Sequence, residues 1–498
     1  MPKNFDVSSL KRIDNNEVGN AQWIYIGGDN NEYIYTLGGP AANITMAKFD
    51  SQSLTLLQST NLDSSLYIGG VLLHQNGNVY AVHGNKLYAY WGGNLDNVTK
   101  VTLPTSLNGR LVQTNGMVVS SDGYLVIKQW AMYSEDISML TTKFPVLPKA
   151  VIALYILVVS TTLITANKKT LSSVALVLQV LRSVLYCTVL VWMLLVVTFY
   201  KLAQGPFDVW RCFTTQTFLS SEGIGGGGEL KLIDPITLHP HASLQLTERC
   251  SFARMALSAL PNGEDAIVLL GDEFSHQYRW NPKTSLLYEV PLWSKRYRGR
   301  YEGSFPGTGP SIFNNTVYYT DNTFPVYLSG HTYSLFSQSL DADSNDDTSF
   351  RSVHLTQPGE PGFMFWSVTV SPLVGDVIVW DTHGNSVQSR RADDLSLHWE
   401  VRAVQMDCIT IAADKGHVYF SDYSGDKTSM ASINDWIPTM SNVPNVTKYL
   451  IVADAETGNI VVNASIFEGT GMKPSLIVPG PFNDVLVGTP EGIARFYV

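Results

Sequence analysis

Charge is scarce in this chain, and over one long stretch acid is missing altogether. Only 15% of the 498 residues are Asp, Glu, Lys or Arg, too few for a fold covered in surface helices. The net charge of −10 excludes general nucleic-acid binding, which needs a basic face. The four cysteines, Cys187, Cys212, Cys250 and Cys408, form no C-x-x-C pair, which excludes a zinc or dithiol motif of that kind. A Cys212–Cys250 disulfide is allowed but nothing requires it. No H-E-x-x-H, G-x-S-x-G, P-loop or EF-hand loop occurs. His239 and His241 flank Pro240 without further ligands in reach, so no metal site is expected. The acidic run DADSNDD (341–347) lacks the Gly and closing Glu of a calcium loop and reads as a surface loop. The opening MPKNFDVSSLKRIDNNEVG has no apolar core, so no cleavable signal peptide is expected. Sequons at Asn43, Asn97, Asn314, Asn445 and Asn463 permit glycosylation in a lumenal compartment without placing the chain there. No catalytic residue or cofactor is assigned.

What is present is strand and turn material. Gly (39), Tyr (24) and Trp (11) are plentiful, and 45% of residues are hydrophobic. A short motif recurs in which turn residues feed a β-branched, apolar and aromatic run. It appears as NNEYIYTL at Tyr33, GNVYAV at Val79, DGYLVI at Tyr124 and EDAIVLL at Ala266. It continues as NNTVYYTD at Thr316, GDVIVWD at Val377, KGHVYFSD at Val418 and NDVLVG at Val485. Each reads as the second strand of a unit, preceded by another short strand such as WIYIGG from Trp23. A second motif places an acid or Asn three residues before Ser or Thr: Asp50-SQS, Asp234-PIT, Asn281-PKT, Asp393-DLS and Asp454-AET. An Asp or Asn at the head of a turn accepts the turn's own N–H groups, so these five predict the hairpins between third and fourth strands.

Tyr124 and Ala266 lie 142 residues apart, against 46 and 45 for the two gaps before them. Taking out residues 131–225 leaves a gap of 47 and restores the period. Four-stranded units of roughly 40–50 residues are propeller blades. The expected fold is an all-β propeller with eight blades, seven being the alternative because some gaps are irregular. Residues near 5–13 are expected to supply the last blade's missing outer strand and close the ring.

The segment YLIVADAETGNIVVNASI (449–466), with Asp454, Thr457 and Gly458 at its turn positions, resembles the repeat of the PQQ-type, quinoprotein alcohol dehydrogenase-like propellers. The resemblance implies the fold. The family's tryptophan late in each repeat is largely missing, Trp399 falling too early, and the adjacent cysteine pair of its alcohol dehydrogenases is absent. No PQQ-binding or catalytic residue is therefore carried over.

Residues 131–225 separate a first propeller part (1–130) from the remainder (226–498). Between Asp136 and Asp208 the block has no acid, while Lys143, Lys149, Lys168, Lys169, Arg182 and Lys201 are basic. Its uncharged runs predict a transmembrane helical hairpin at about 146–166 and 183–200, with Asn167-Lys168-Lys169 as the turn. The clean excision also fits a block that is not native coding sequence, such as a translated intron. A buried helix pair is the third reading, and it is disfavoured because neither run has a polar face. Gly225 to Gly228 are expected to form a flexible re-entry.

With the hairpin in a bilayer the expected localisation is integral to the membrane, the propeller placed on the cytoplasmic side because no signal precedes it. Without the block the expectation is a soluble propeller. The loop WSKRYRGRYEG (293–303) shares a face with the insertion, and its Lys295, Arg296, Arg298 and Arg300 are the candidate contacts for lipid headgroups or another anion. The leading functional expectation is a membrane-tethered, non-catalytic platform for a protein or peptide ligand. The alternative is a quinoprotein-like or hydrolytic enzyme with its site in the central channel.

Overall fold

Short strand-forming runs alternate with turn residues along the chain, and in the computed structural model they pair into antiparallel sheets. The structure describes residues 10–17, 21–28, 30–38, 44–63, 69–106, 111–132, 226–246, 254–271, 273–297, 309–321, 332–342, 346–357, 367–381, 385–403, 411–414, 416–424, 446–469, 476–489 and 492–497. The chain divides by packing into Met1–Met132 with Cys212–Val498, and Tyr133–Arg211; every described residue belongs to the first unit.

Among the described residues there are eight four-stranded sheets, seven of them made of consecutive strands and the eighth joining the two ends of the chain, with blade 4 carrying one extra short strand. Blade 1 runs from Ala21–Gly27 to Leu56–Asn61 and blade 2 from Gly70–Leu73 to Val98–Thr102. Blade 3 joins Leu111–Val119 and Leu125–Met132 to Gly226–Ile233 and Pro240–Gln245, and blade 4 spans Ala256–Ala259 to Leu286–Glu289 with Lys295–Arg296 added. Blade 5 spans Ser311–Phe313 to Phe350–His354, and blade 6 spans Thr369–Val370 to Leu397–Arg402. Blade 7 spans Ala412–Ala413 to Ile460–Gly469. Blade 8 contains Ile477–Pro479, Val485–Gly488 and Ile493–Tyr497, and its outer strand is Lys11–Asn15 from the other end of the chain. All eight recurring motifs are second strands, which decides for eight blades over seven.

The first strands pack in succession from blade 1 round to blade 8, and blade 8 returns to blade 1 through its second strand. Apolar side chains fill the spaces between blades. Tyr35, Leu37 and Met46 meet Val71, Val79 and Tyr88 between blades 1 and 2. Ile34 and Phe49 meet Leu486 and Ile493 at the closing seam. Burial of such side chains is the main favourable term in a fold of this kind.

The predicted hairpin turns share one geometry. Asp50 Oδ1 accepts from Ser53 N at 2.7 Å, Asp234 Oδ1 from Thr237 N at 2.8 Å, and Asp454 Oδ1 from Thr457 N at 2.9 Å. The fifth turn residue is left-handed: Leu54, Leu238, Ser285, Leu395 and Gly458 have φ of 58°, 59°, 53°, 62° and 72°. Three of these are leucines with at most 4% of their surface exposed, so packing offsets the backbone strain. The blade 6 turn corrects the expected register. It begins at Arg391, whose O accepts from Leu395 N at 2.8 Å, rather than at Asp393.

The connections between third and fourth strands, these turns among them, receive polar groups from the preceding blade. Lys48 Nζ donates to Gly93 O at 3.0 Å, Tyr80 Oη to Pro235 O at 2.8 Å, Arg279 to Leu340 O at 3.2 Å and Tyr318 Oη to Ala392 O at 3.2 Å. Trp399 Nε1 donates to Ala455 O at 3.0 Å, and a Cβ at Gly458 would meet the Trp399 ring at 2.9 Å. Trp399 therefore docks the blade 7 turn despite its early place in the repeat.

Leu125–Met132 pairs directly with Gly226–Ile233, Trp130 opposite Gly228 and Ala131 opposite Gly226. The expected re-entry glycines from Gly226 on are thus part of the strand. The expected hairpin, 146–166 and 183–200, lies outside the described residues. The expected localisation is corrected. No helix among the described residues is long and apolar enough to cross a membrane, and integral placement with a cytoplasmic propeller is withdrawn on that finding. Apolar residues there go into strands of two to ten residues, and helix is limited to single 3-10 turns.

Candidate functional site

Alternation along strands gives blade 5 two unlike faces. Val317, Tyr319 and Phe336 join the apolar cluster shared with blade 4. The other face carries cross-strand rows: Tyr318 opposite Ser337, Ser337 opposite Arg351, and Thr316 opposite Ser339. These rows form one wall of a cleft of about 540 Å³ between blades 5 and 6. The other wall is two blade 6 turns, which contribute Asp376, Arg391 and Asp393. Burial pushes the Tyr318 hydroxyl up, so it remains a neutral donor in the cleft.

Charge in the cleft is mixed. Arg351 and Arg391 are exposed, and neither guanidinium makes an ion pair or a side-chain hydrogen bond among the described residues. The hydroxyl and N–H of Ser396 hold the neighbouring Asp394 carboxyl below its usual range, and both arginines add to this. Asp376 is buried and its Oδ2 accepts from Ser389 Oγ at 2.8 Å, with His398 Nδ1 at 2.5 Å from the same oxygen. Ser, Asp and His meet here, but not as a nucleophilic triad. Serine would have to bond the imidazole, whereas Ser389 bonds the carboxylate and is fully buried. None of the cleft-lining residues is His, Cys or Lys.

The basic loop is only partly within the described residues. Lys295 pairs with Ser275 as a strand extension, and its ammonium lies 5.4 Å from the Phe350 ring of blade 5. Arg296 is exposed and pairs with Glu273 at 3.2 Å. Arg298 and Arg300 lie outside the described residues, as do Cys187, Cys212, Cys250 and Cys408. The two histidines around Pro240 are not brought together as ligands: His241 stacks on Tyr124 at 4.5 Å and meets Trp280 edge-on at 5.7 Å. In the 341–347 run Asp341 accepts from Asn315 at 2.7 Å and Asp346 accepts from Thr348 N at 2.9 Å.

A separate polar network lies at the blade 7 turn. Burial alone would raise the Asp414 carboxyl. The His417 imidazole 3.6 Å away, a hydrogen bond from the Tyr419 hydroxyl and those from the N–H groups of Gly416 and His417 outweigh it and hold the carboxyl well below the usual range. A depressed carboxyl stabilises the fold above the unfolded value of about 3.9, and that stability is lost as pH falls through the folded value. Asp414→Asn is expected to flatten the fall in stability below about pH 4. Urea midpoints measured from pH 6 to pH 2 check this, and equal slopes in both proteins would refute it.

The cleft escaped sequence reasoning because its rows combine strands far apart in the chain. One signal was available: in RADDLS an arginine stands at the turn position that Asp holds in blades 1, 3 and 7.

Fold and site together define an eight-bladed propeller with a polar cleft between two blades. No family model matches the chain, and no curated protein matches it. Among solved structures, BamB from Moraxella catarrhalis is 9% identical, covers 98% of this chain and 97% of its own, and has a TM-score of 0.42. The Dos1 propeller is 10% identical over 99% and 95%, with a TM-score of 0.47. AztD of Citrobacter koseri is 12% identical over 91% and 87%, with a TM-score of 0.44. Likenesses of this size assign no function.

Proposed function

We propose that the chain is a non-catalytic propeller that binds a protein partner, with the cleft between blades 5 and 6 as the docking site. The observation that carries this is the pair of unengaged guanidiniums, Arg351 and Arg391, over a hydroxyl-lined wall. Arginines that become desolvated only when a partner docks are characteristic anchors of an interface. Lys295, Arg296, Arg298 and Arg300 form a second contact, for an anionic group of the same partner. The block inserted between the second and third strands of blade 3 is residues 133–225, since Ala131 and Met132 of the expected 131–225 end the second strand, and the pairing across the block supports the insertion. The turn at Asp454, Thr457 and Gly458 supports grouping the repeat with the PQQ-type propellers.

A photo-crosslinker placed at position 348, in the cleft, tests the docking site. One protein, identified by mass spectrometry, is expected to attach there and not to a crosslinker at the exposed position 96 in blade 2. That protein then binds the purified chain without being altered. Equal labelling from both positions contradicts the proposal.

A further inference from the structure

We propose that the cleft takes an extended acidic peptide, one carboxylate side chain being held between Arg351 and Arg391. This rests on the reading of the cleft as the partner site and adds the chemistry of the ligand.

Arg391 is free for a reason visible in its turn. Asp at the first turn position is consumed by the turn's own N–H groups, as Asp50 and Asp454 are. Arginine cannot accept those bonds, and in blade 6 Asp394 accepts from Ser396 N at 2.8 Å instead. The Arg391 guanidinium is left to the cleft. Arg351 reaches the same cleft from the outer strand of blade 5, beside Ser337. Both arginines line this one cleft, Arg391 from the blade 6 turn and Arg351 from the facing blade 5 strand. A guanidinium presents a planar fork of N–H donors that matches a carboxylate and is always charged.

The acids of the cleft decide the form of the ligand. Asp376 and Asp393 also line it. A compact dianion would meet these carboxylates as well as the arginines. An extended chain separates its groups, with a carboxylate at the arginines and backbone N–H groups at Asp393 and the hydroxyls of Ser337 and Thr316. The volume of about 540 Å³ suits a short segment.

The probe is a fluorescein-labelled ten-residue peptide of alternating Glu and Ser, with a Lys–Ser peptide as control, titrated by anisotropy into the full chain. The Glu–Ser peptide is expected to bind more weakly as salt rises. R351Q/R391Q is expected to weaken it on the order of tenfold or more, and K11Q/K100Q, at exposed positions of blades 8 and 2, to leave it unchanged. Both arginines are exposed, and an unchanged near-UV spectrum confirms that the variant is folded. Equal binding by R351Q/R391Q, or equal binding of the Lys–Ser peptide, overturns the proposal. If the protein cross-linked at position 348 binds while the Glu–Ser peptide does not, the acidic class is wrong and the docking site stands. If neither binds, both fail.

Discussion

Arg495→Leu is expected to lower the stability of the propeller by about 3–5 kcal/mol. Arg495 lies on the third strand of blade 8 and is only 4% exposed. Its Nε is 2.6 Å from Asp484 Oδ2, a carboxylate fully removed from solvent. Its other nitrogens donate across the seam to the blade 1 turn, to Gln52 O at 2.6 Å and to Ser51 O. Removing the cation strands a buried carboxylate and frees two carbonyls at the junction that closes the ring. The urea midpoint reads the loss. Arg495→Leu with Asp484→Asn is expected to recover part of it, because no unpaired charge is then buried. A single variant within about 1 kcal/mol of the parent would show that the seam does not depend on this group.

Trp280→Ala is expected to cost about as much, roughly 3–5 kcal/mol, by a different route. Trp280 is fully buried between blades 3 and 4. Its ring meets Tyr124 edge-on at 5.9 Å and His241 at 5.7 Å, and its Nε1 donates to both oxygens of Asp122 at 3.0 and 3.1 Å. Truncation leaves a large cavity and removes both hydrogen bonds to Asp122, whose exposed carboxylate is still met by Ser120 and open to solvent. Trp280→Phe keeps most of the volume and loses the hydrogen bonds, so a smaller loss of about 1–2 kcal/mol is expected. Calorimetric unfolding of both variants separates the two contributions. Equal losses for Ala and Phe would place the effect in the hydrogen bonds alone.

The fold was legible where each residue's local role coincides with its role in the ring. Runs such as VYAV and VIVW must be second strands because they are buried on both faces, and turn residues bound them. The closing strand was legible in part: blade 8 lacked an outer strand and residues near 5–13 were expected to supply it, whereas the strand is Lys11–Asn15 and overlaps that range at 11–13 only. Docking between blades was not. Lys48, Arg279 and Arg495 look like surface charges in sequence, and only the neighbouring blade's carbonyls make their burial tolerable. Asp393 misled because a second acid, Asp394, follows it, and the turn actually begins two residues earlier at Arg391. That shift puts Arg391 rather than Asp393 at the head of the turn, and both residues line the cleft. The apolar block was legible by composition, but its expected hairpin lies outside the described residues.

Amide hydrogen exchange of the full chain with and without saturating Glu–Ser peptide tests the central claim most directly. The account predicts slower exchange in Ser334–Ser339, in Phe350–His354 and in the turn at 391–396, with the rest of the ring unchanged. Protection confined to Lys295–Arg296 or to the first strands around the central channel would contradict it.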